Sequence, residues 1–146
     1  MSIVRAVTLP VTLEHDFKSG DPDNMLVING GEHSTEFDQI DLEHNPTQLF
    51  HTITLELSGN ASAGEFCQLG DPVYPGFAWL LRKPGFIPVV PQGKTAFLLY
   101  NMHQRRDTRG RWFYQLCARF GEMVYGVPLT FAAGPATNKN PSIKNR

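Results

Sequence analysis

Three consecutive runs late in the chain carry apolar side chains at every second position. Residues 94–102 alternate Ala96, Leu98, Tyr100 and Met102, residues 111–120 alternate Trp112, Tyr114, Leu116, Ala118 and Phe120, and residues 122–131 alternate Met123, Tyr125, Val127, Leu129 and Phe131. A period of two sets each series on one face of a pleated strand, and turn residues separate the runs, so the pattern predicts a β-meander. The same alternation predicts strands over 2–13, with Val7, Leu9, Val11 and Leu13 on one face, and over 48–58, with Leu49, His51, Ile53, Leu55 and Leu57 inward. Pro10 lacks a ladder donor and points to an edge strand or a bulge. Shorter strands are predicted over 25–29, 66–69, 76–82 and 86–90, the last interrupted by Pro88. Residues 32–45 follow neither period; they read as an acidic, exposed segment with at most a single helical turn.

Turn-forming clusters such as Lys18-Ser19-Gly20-Asp21-Pro22-Asp23-Asn24 recur at intervals of about eight to twelve residues, the spacing of a two-sheet sandwich or barrel. The expected fold is a single antiparallel β-sandwich, Ig-like or jelly-roll-like, with a C-terminal meander. The sandwich domain spans 1–131, and 132–146 reads as an extended or disordered polar tail. Length and composition agree: 146 residues suit one domain, ten Phe, four Tyr and two Trp supply a core, and eleven Pro with thirteen Gly suit strands and turns. No apolar run approaches the roughly eighteen residues of a membrane helix, and the first residues lack an uninterrupted apolar stretch. A cytoplasmic protein with no membrane partner is the expectation. Cys67 and Cys117 lack metal or redox spacing and read as buried thiols.

Charge changes the picture more. Residues 1–81 hold two basic side chains against twelve acidic ones, whereas residues 82–146 hold eleven basic against two acidic. Interleaved strands would let that imbalance cancel between neighbours. The alternative is a dipolar molecule that associates with itself or with an anionic partner.

The loop 101–111 concentrates His103, Arg105, Arg106, Arg109 and Arg111 ahead of Trp112. Guanidinium forks suit phosphates and carboxylates, and neighbouring aromatics add stacking, so this loop is the candidate site for an anion or nucleic acid. Tyr74, Trp79 and Trp112 are candidates for stacking on sugar rings, although alternating aromatics more commonly fill a core. The five histidines show no HxH or HxxxH spacing, and Asp21, Asp23 and Asn24 are better explained by turn stabilisation than by calcium. No nucleophile motif is present, so no catalytic residue, metal or cofactor is assigned.

The chain's end, a final hairpin followed by Asn140-Pro141-Ser142-Ile143-Lys144-Asn145, resembles that of the uncharacterised bacterial DP-EP family, whose members close with an Asp-Pro-x-Ile-x-Asn run. Gly85-Phe86-Ile87-Pro88 also looks like a feature of that group. This chain has Asn140 where the pattern has Asp. A looser similarity is to the AidA/PixA inclusion-body proteins, small β-sandwiches with aromatic-rich late strands. The resemblance implies a sandwich and carries no active-site residues.

These readings favour a non-catalytic binding or self-assembling protein, a homo-oligomer formed through a sheet edge, the polar tail or opposite charges. The alternatives are an anion, nucleic-acid or carbohydrate module, and a metal-dependent enzyme whose site gathers scattered histidines and acids.

Overall fold

The computed structural model describes residues 4–29, 40–42, 50–102, 108–127 and 141–146. Among these residues eleven strands follow one another: β1 (Val4–Leu13), β2 (Leu26–Ile28), β3 (Ile40–Leu42), β4 (Phe50–Leu57), β5 (Glu65–Phe66), β6 (Phe77–Leu80), β7 (Val89–Gln92), β8 (Ala96–Asn101), β9 (Gly110–Phe120), β10 (Met123–Gly126) and β11 (Ser142–Asn145). They form two sheets, the first ordered β2-β1-β4-β8-β7 and the second built around β9.

Hydrogen bonds fix which edge of β9 each neighbour takes. The backbone amides of Val127 and Tyr114 pair Leu116 and Tyr114 with the β10–β11 side, while the amide and carbonyl of Cys117 bond Gly76 and Cys67 on the other. One edge of β9 therefore carries β10 and then β11, with β3 beyond β11, and the opposite edge carries β5 and then β6. Among the described residues no helix is long and apolar enough to cross a membrane.

Inward faces meet in one core. Leu9, Val11, Ile53, Leu55 and Leu99 from the first sheet oppose Tyr114, Leu116, Ile143 and Ile40 from the second, all at or below 1% exposure. Phe77 bridges the layers, stacked on Tyr114 at 5.2 Å and edge-on to Phe97 at 6.1 Å. Burying such side chains supplies roughly 1.5–3 kcal/mol each and holds the sheets face to face.

The all-β, two-sheet reading holds, and the pairing differs in three respects. β8 lies in the first sheet between β4 and β7, whereas β9 and β10 form a hairpin in the second, so the three late runs are strands but not one meander. Alternation assigns faces and leaves pairing partners open. The β9–β10 turn is a two-residue loop with Gly121 at φ 64, which closes a hairpin; the longer connection from Asn101 to Gly110 crosses between sheets instead.

Second, the face of β8 is inverted relative to the sequence reading. Phe97, Leu99 and Asn101 are buried while Leu98 and Tyr100 are only partly covered, because this strand is apolar on both faces and its period cannot choose between them.

Third, residues 142–145 are not a tail: β11 lies between β9 and β3, with Ser142, Ile143 and Asn145 buried. Leu129, Phe131 and residues 132–140 lie outside the described residues. Two pairs are parallel, β1 with β4 and β11 with β3, in otherwise antiparallel sheets. The edge strand expected from Pro10 is not found: β1 lies between β2 and β4, with Pro10 in register with Glu56, and the proline is accommodated just beyond the last ladder pair of β2. Its carbonyl accepts from Asn29 at 2.9 Å, so its missing donor points past the end of β2.

Ile40–Leu42 is a strand rather than part of a helical turn, and the rest of 32–45 lies outside the described residues. Asp21 and Asn24 act in the turn, Asp21 accepting from the Asp23 amide and Asn24 from those of His15 and Met25.

Candidate functional site

The end of the sandwich where β8 finishes and β9 begins is built on a buried amide pair. Nδ2 of Asn101 donates to Oδ1 of Asn145 at 2.8 Å, Nδ2 of Asn145 donates back to Oδ1 of Asn101 at 3.1 Å, and a second Asn145 bond reaches the Thr108 carbonyl at 3.0 Å. The pair links the two sheets and the chain crossing between them. Its members are 0% and 2% exposed, where an amide without partners would be costly. His51, opposite Asn101 in the β4–β8 ladder, is buried beside it.

Above this clamp the loops are held by Trp112. The Arg82 guanidinium lies over its ring at 5.0 Å, Phe86 meets it edge-on at 5.0 Å, and Nη2 of Arg82 donates to the Arg111 carbonyl at 3.2 Å. Gly110 has φ 142, and a Cβ there would lie 2.9 Å from the indole and 3.0 Å from the guanidinium, so this close approach needs glycine. Trp112 is 5% exposed and thus a support for the loops, not the stacking platform its sequence context suggested. Just before Arg82, Leu81 sits at φ 67 while the Arg82 amide donates to the Leu80 carbonyl at 2.7 Å. This is a γ-turn of the rarer, strained hand, and it ends β6 with Leu81 left 79% exposed.

Charge segregates along the strand axis. Arg82, Lys83, Arg109, Arg111, Lys144 and Arg146 lie at this end, together with one acidic residue of the described strands, Asp41 of β3. At the other end, around the β1–β2 turn, β5 and the β9–β10 turn, stand Glu14, Asp16, Asp21, Asp23, Glu65 and Glu122 with Lys18, Lys94 and Arg119. Lys144 is in register with Arg111 in the β9–β11 ladder, a like-charge pairing, and with Asp41 in the β11–β3 ladder. Of the proposed anion-binding loop, Arg109 and Arg111 are exposed at the cationic end; His103, Arg105 and Arg106 lie outside the described residues.

A groove of about 580 Å³ lies between β6 of one sheet and the 83–89 segment leading into β7 of the other. Leu69, Phe77, Trp79, Lys83, Ile87 and Val89 are among its walls. Trp79 is half-buried, edge-on to Phe77 at 4.9 Å. Tyr74 is exposed on the turn before β6 and does not line the groove. The Asp71 carboxylate shapes that turn by accepting from the Val73 and Tyr74 amides at 2.9 and 2.7 Å, bonds that hold its pKa below the usual carboxylate value. Of the three aromatic candidates, Trp79 is the one that lines this groove.

Among the described residues β6 pairs only with β9 and β7 only with β8, and the two edges differ. Gly76 accepts from the Cys117 amide, so by alternation Ala78 and Leu80 turn their backbone groups toward β9 while Phe77 and Trp79 turn theirs outward. On β7, Pro88 accepts from Tyr100, so the outward positions are Val89 and Pro91, and Pro91 offers no donor. The β7 edge is blunted and the β6 edge is not.

The two cysteines come together where β5 ends. The Cys67 amide donates to the Cys117 carbonyl at 3.0 Å, and both thiols are free. Burial raises both thiol pKa values, that of Cys117 to about 11 with further contributions from Cys67 and Asp71. Among the described residues no three His, Cys, Asp or Glu side chains gather into a metal-binding group. No protein-family model, curated protein or solved structure matches this chain.

The amide clamp, Arg82, Lys83 and the groove were not found by reading the sequence. Asn101 is the last residue of β8, and its inward position is hidden in the sequence by the two apolar faces of that strand. The groove arises from strands in different sheets and leaves no local pattern.

Proposed function

We propose that this protein is a non-catalytic β-sandwich that assembles with further copies of itself, the cationic end of one copy meeting the acidic end of the next. The observation that carries this reading is the separation of described charges to opposite ends of the strand axis. A head-to-tail contact between unlike surfaces repeats from copy to copy, giving a ring where the rotation closes and an open chain where it does not, and complementary potential favours it in both rate and register. The buried Asn101 and Asn145 amides under the cationic end are committed to each other, and the burial-raised thiols are protonated near neutrality, so these groups act as structure. A cytoplasmic, bacterial setting and kinship with the DP-EP proteins belong to the same proposal.

Molar mass by light scattering at low and high salt tests it. The mass is expected to exceed that of the 16.4 kDa chain at low salt and to fall toward it as exposed charges are screened. A monomer at low salt and high protein concentration overturns the reading. A second reading, an anion-binding module, draws on exposed Arg109 and Arg111; it is favoured instead if phosphate-rich ligands saturate a monomer.

A further inference from the structure

We propose that the groove beside β6 is a docking site for an extended segment of a partner protein. The segment adds to the second sheet as a strand, seats an apolar or aromatic side chain against Trp79, and turns a carboxylate toward Lys83.

Five observations converge. Phe77 and Trp79 present outward backbone N–H and C=O groups two residues apart, the repeat with which an antiparallel strand pairs, and no described residue pairs with that edge. Next to this edge the groove, about 580 Å³, has room for large side chains, with Leu69, Trp79, Ile87 and Val89 as apolar walls. Its charged lining residue is Lys83, with Arg82 adjacent and no acid among the lining residues, so the complementary segment is acidic. Pro91 withholds a donor on the facing edge, which directs the incoming strand to β6 alone. Exposed Val73, Tyr74 and Leu81, at 70%, 48% and 79%, continue the apolar surface before and after the strand. The open side of the sandwich is thus the place where a strand from elsewhere completes the second sheet. This proposal stands apart from end-to-end assembly, because a short peptide needs no second copy.

The test titrates the full chain with the capped peptide acetyl-Val-Glu-Phe-Glu-Val-amide, following backbone amide shifts by NMR. Saturable shifts at Phe77 and Trp79 are expected. N-methylation of alternate peptide nitrogens is expected to abolish them, and exchange of Glu for Lys, or the exposed-site variant Lys83→Glu, to weaken binding about tenfold or more, the equivalent of one lost charge contact. Undiminished binding of the N-methylated peptide would mean a side-chain pocket and overturns strand addition. Indifference to Lys83→Glu, shifts confined to other residues, or no binding at millimolar peptide overturns it equally. Concentration-dependent shifts of Phe77 and Trp79 without peptide would assign the edge to a second copy and also refute the proposal.

Discussion

At Cys117 the geometry and the titration behaviour say the same thing. The side chain stands on β9 beside Cys67, in a setting where burial disfavours the thiolate and a neighbouring thiolate would disfavour it further. A thiol held to about 11 in the folded protein against 9.0 for the ordinary group binds its proton more tightly folded than unfolded. Its contribution to stability is complete below the unfolded value and is lost as pH rises through the folded one, so stability is expected to decline between pH 9 and about 11. Chemical denaturation across that window, compared with a Cys67→Ala/Cys117→Ala variant, measures the slope; equal slopes would show that the thiols do not contribute. Alkylation at pH 8 is expected to be slow in the folded protein and fast in denaturant, since the thiolate is the reactive form.

Among the elements, β11 shows what pattern reading reaches and where it stops. Its inward residues Ile143 and Asn145 alternate like those of any strand, but the element has only four residues, and Pro141, Lys144 and Arg146 beside them read as the composition of a tail. Only its partners reveal it: β9 on one side, β3 on the other, and Asn101 across the core. The long strands β1, β4 and β9 were legible because eight or more residues of strict alternation leave one consistent face. β8 was legible as a strand and not as a face, and the crossing that follows it turned an expected meander into two sheets. Of the site, the arginines were visible in sequence, whereas the groove and the amide clamp exist only through long-range pairing.

The clamp can be weighed by a mutant cycle. Asn145→Leu leaves the Asn101 amide buried without its partner and is expected to cost about 1–3 kcal/mol, as is Asn101→Leu, while the double variant should cost less than their sum because no orphaned amide remains. Additive losses in thermal or denaturant unfolding would show that the two amides do not act as a pair.

For the molecule as a whole, the segregated charge makes a prediction that a general stickiness does not. If copies join cationic end to acidic end, each end has one kind of partner, and altering one end removes one half of the contact. The variant Arg109→Glu/Lys144→Glu keeps its acidic end and loses the cationic one; Asp23→Lys/Glu122→Lys keeps the cationic end and loses the acidic one. Arg109, Asp23 and Glu122 are exposed and Lys144 lies on an outer face, so neither pair of substitutions disturbs the core. Each variant alone is expected to remain monomeric at low salt. Their equimolar mixture is expected to form a one-to-one complex that stops at two chains, because each partner then has a single competent end. Light scattering of the mixture distinguishes the cases: a dimer that dissociates with salt supports polar head-to-tail assembly. Two monomers in the mixture, or either variant still assembling alone, would place any self-association on another surface, with the exposed edge of β6 the next to be mutated.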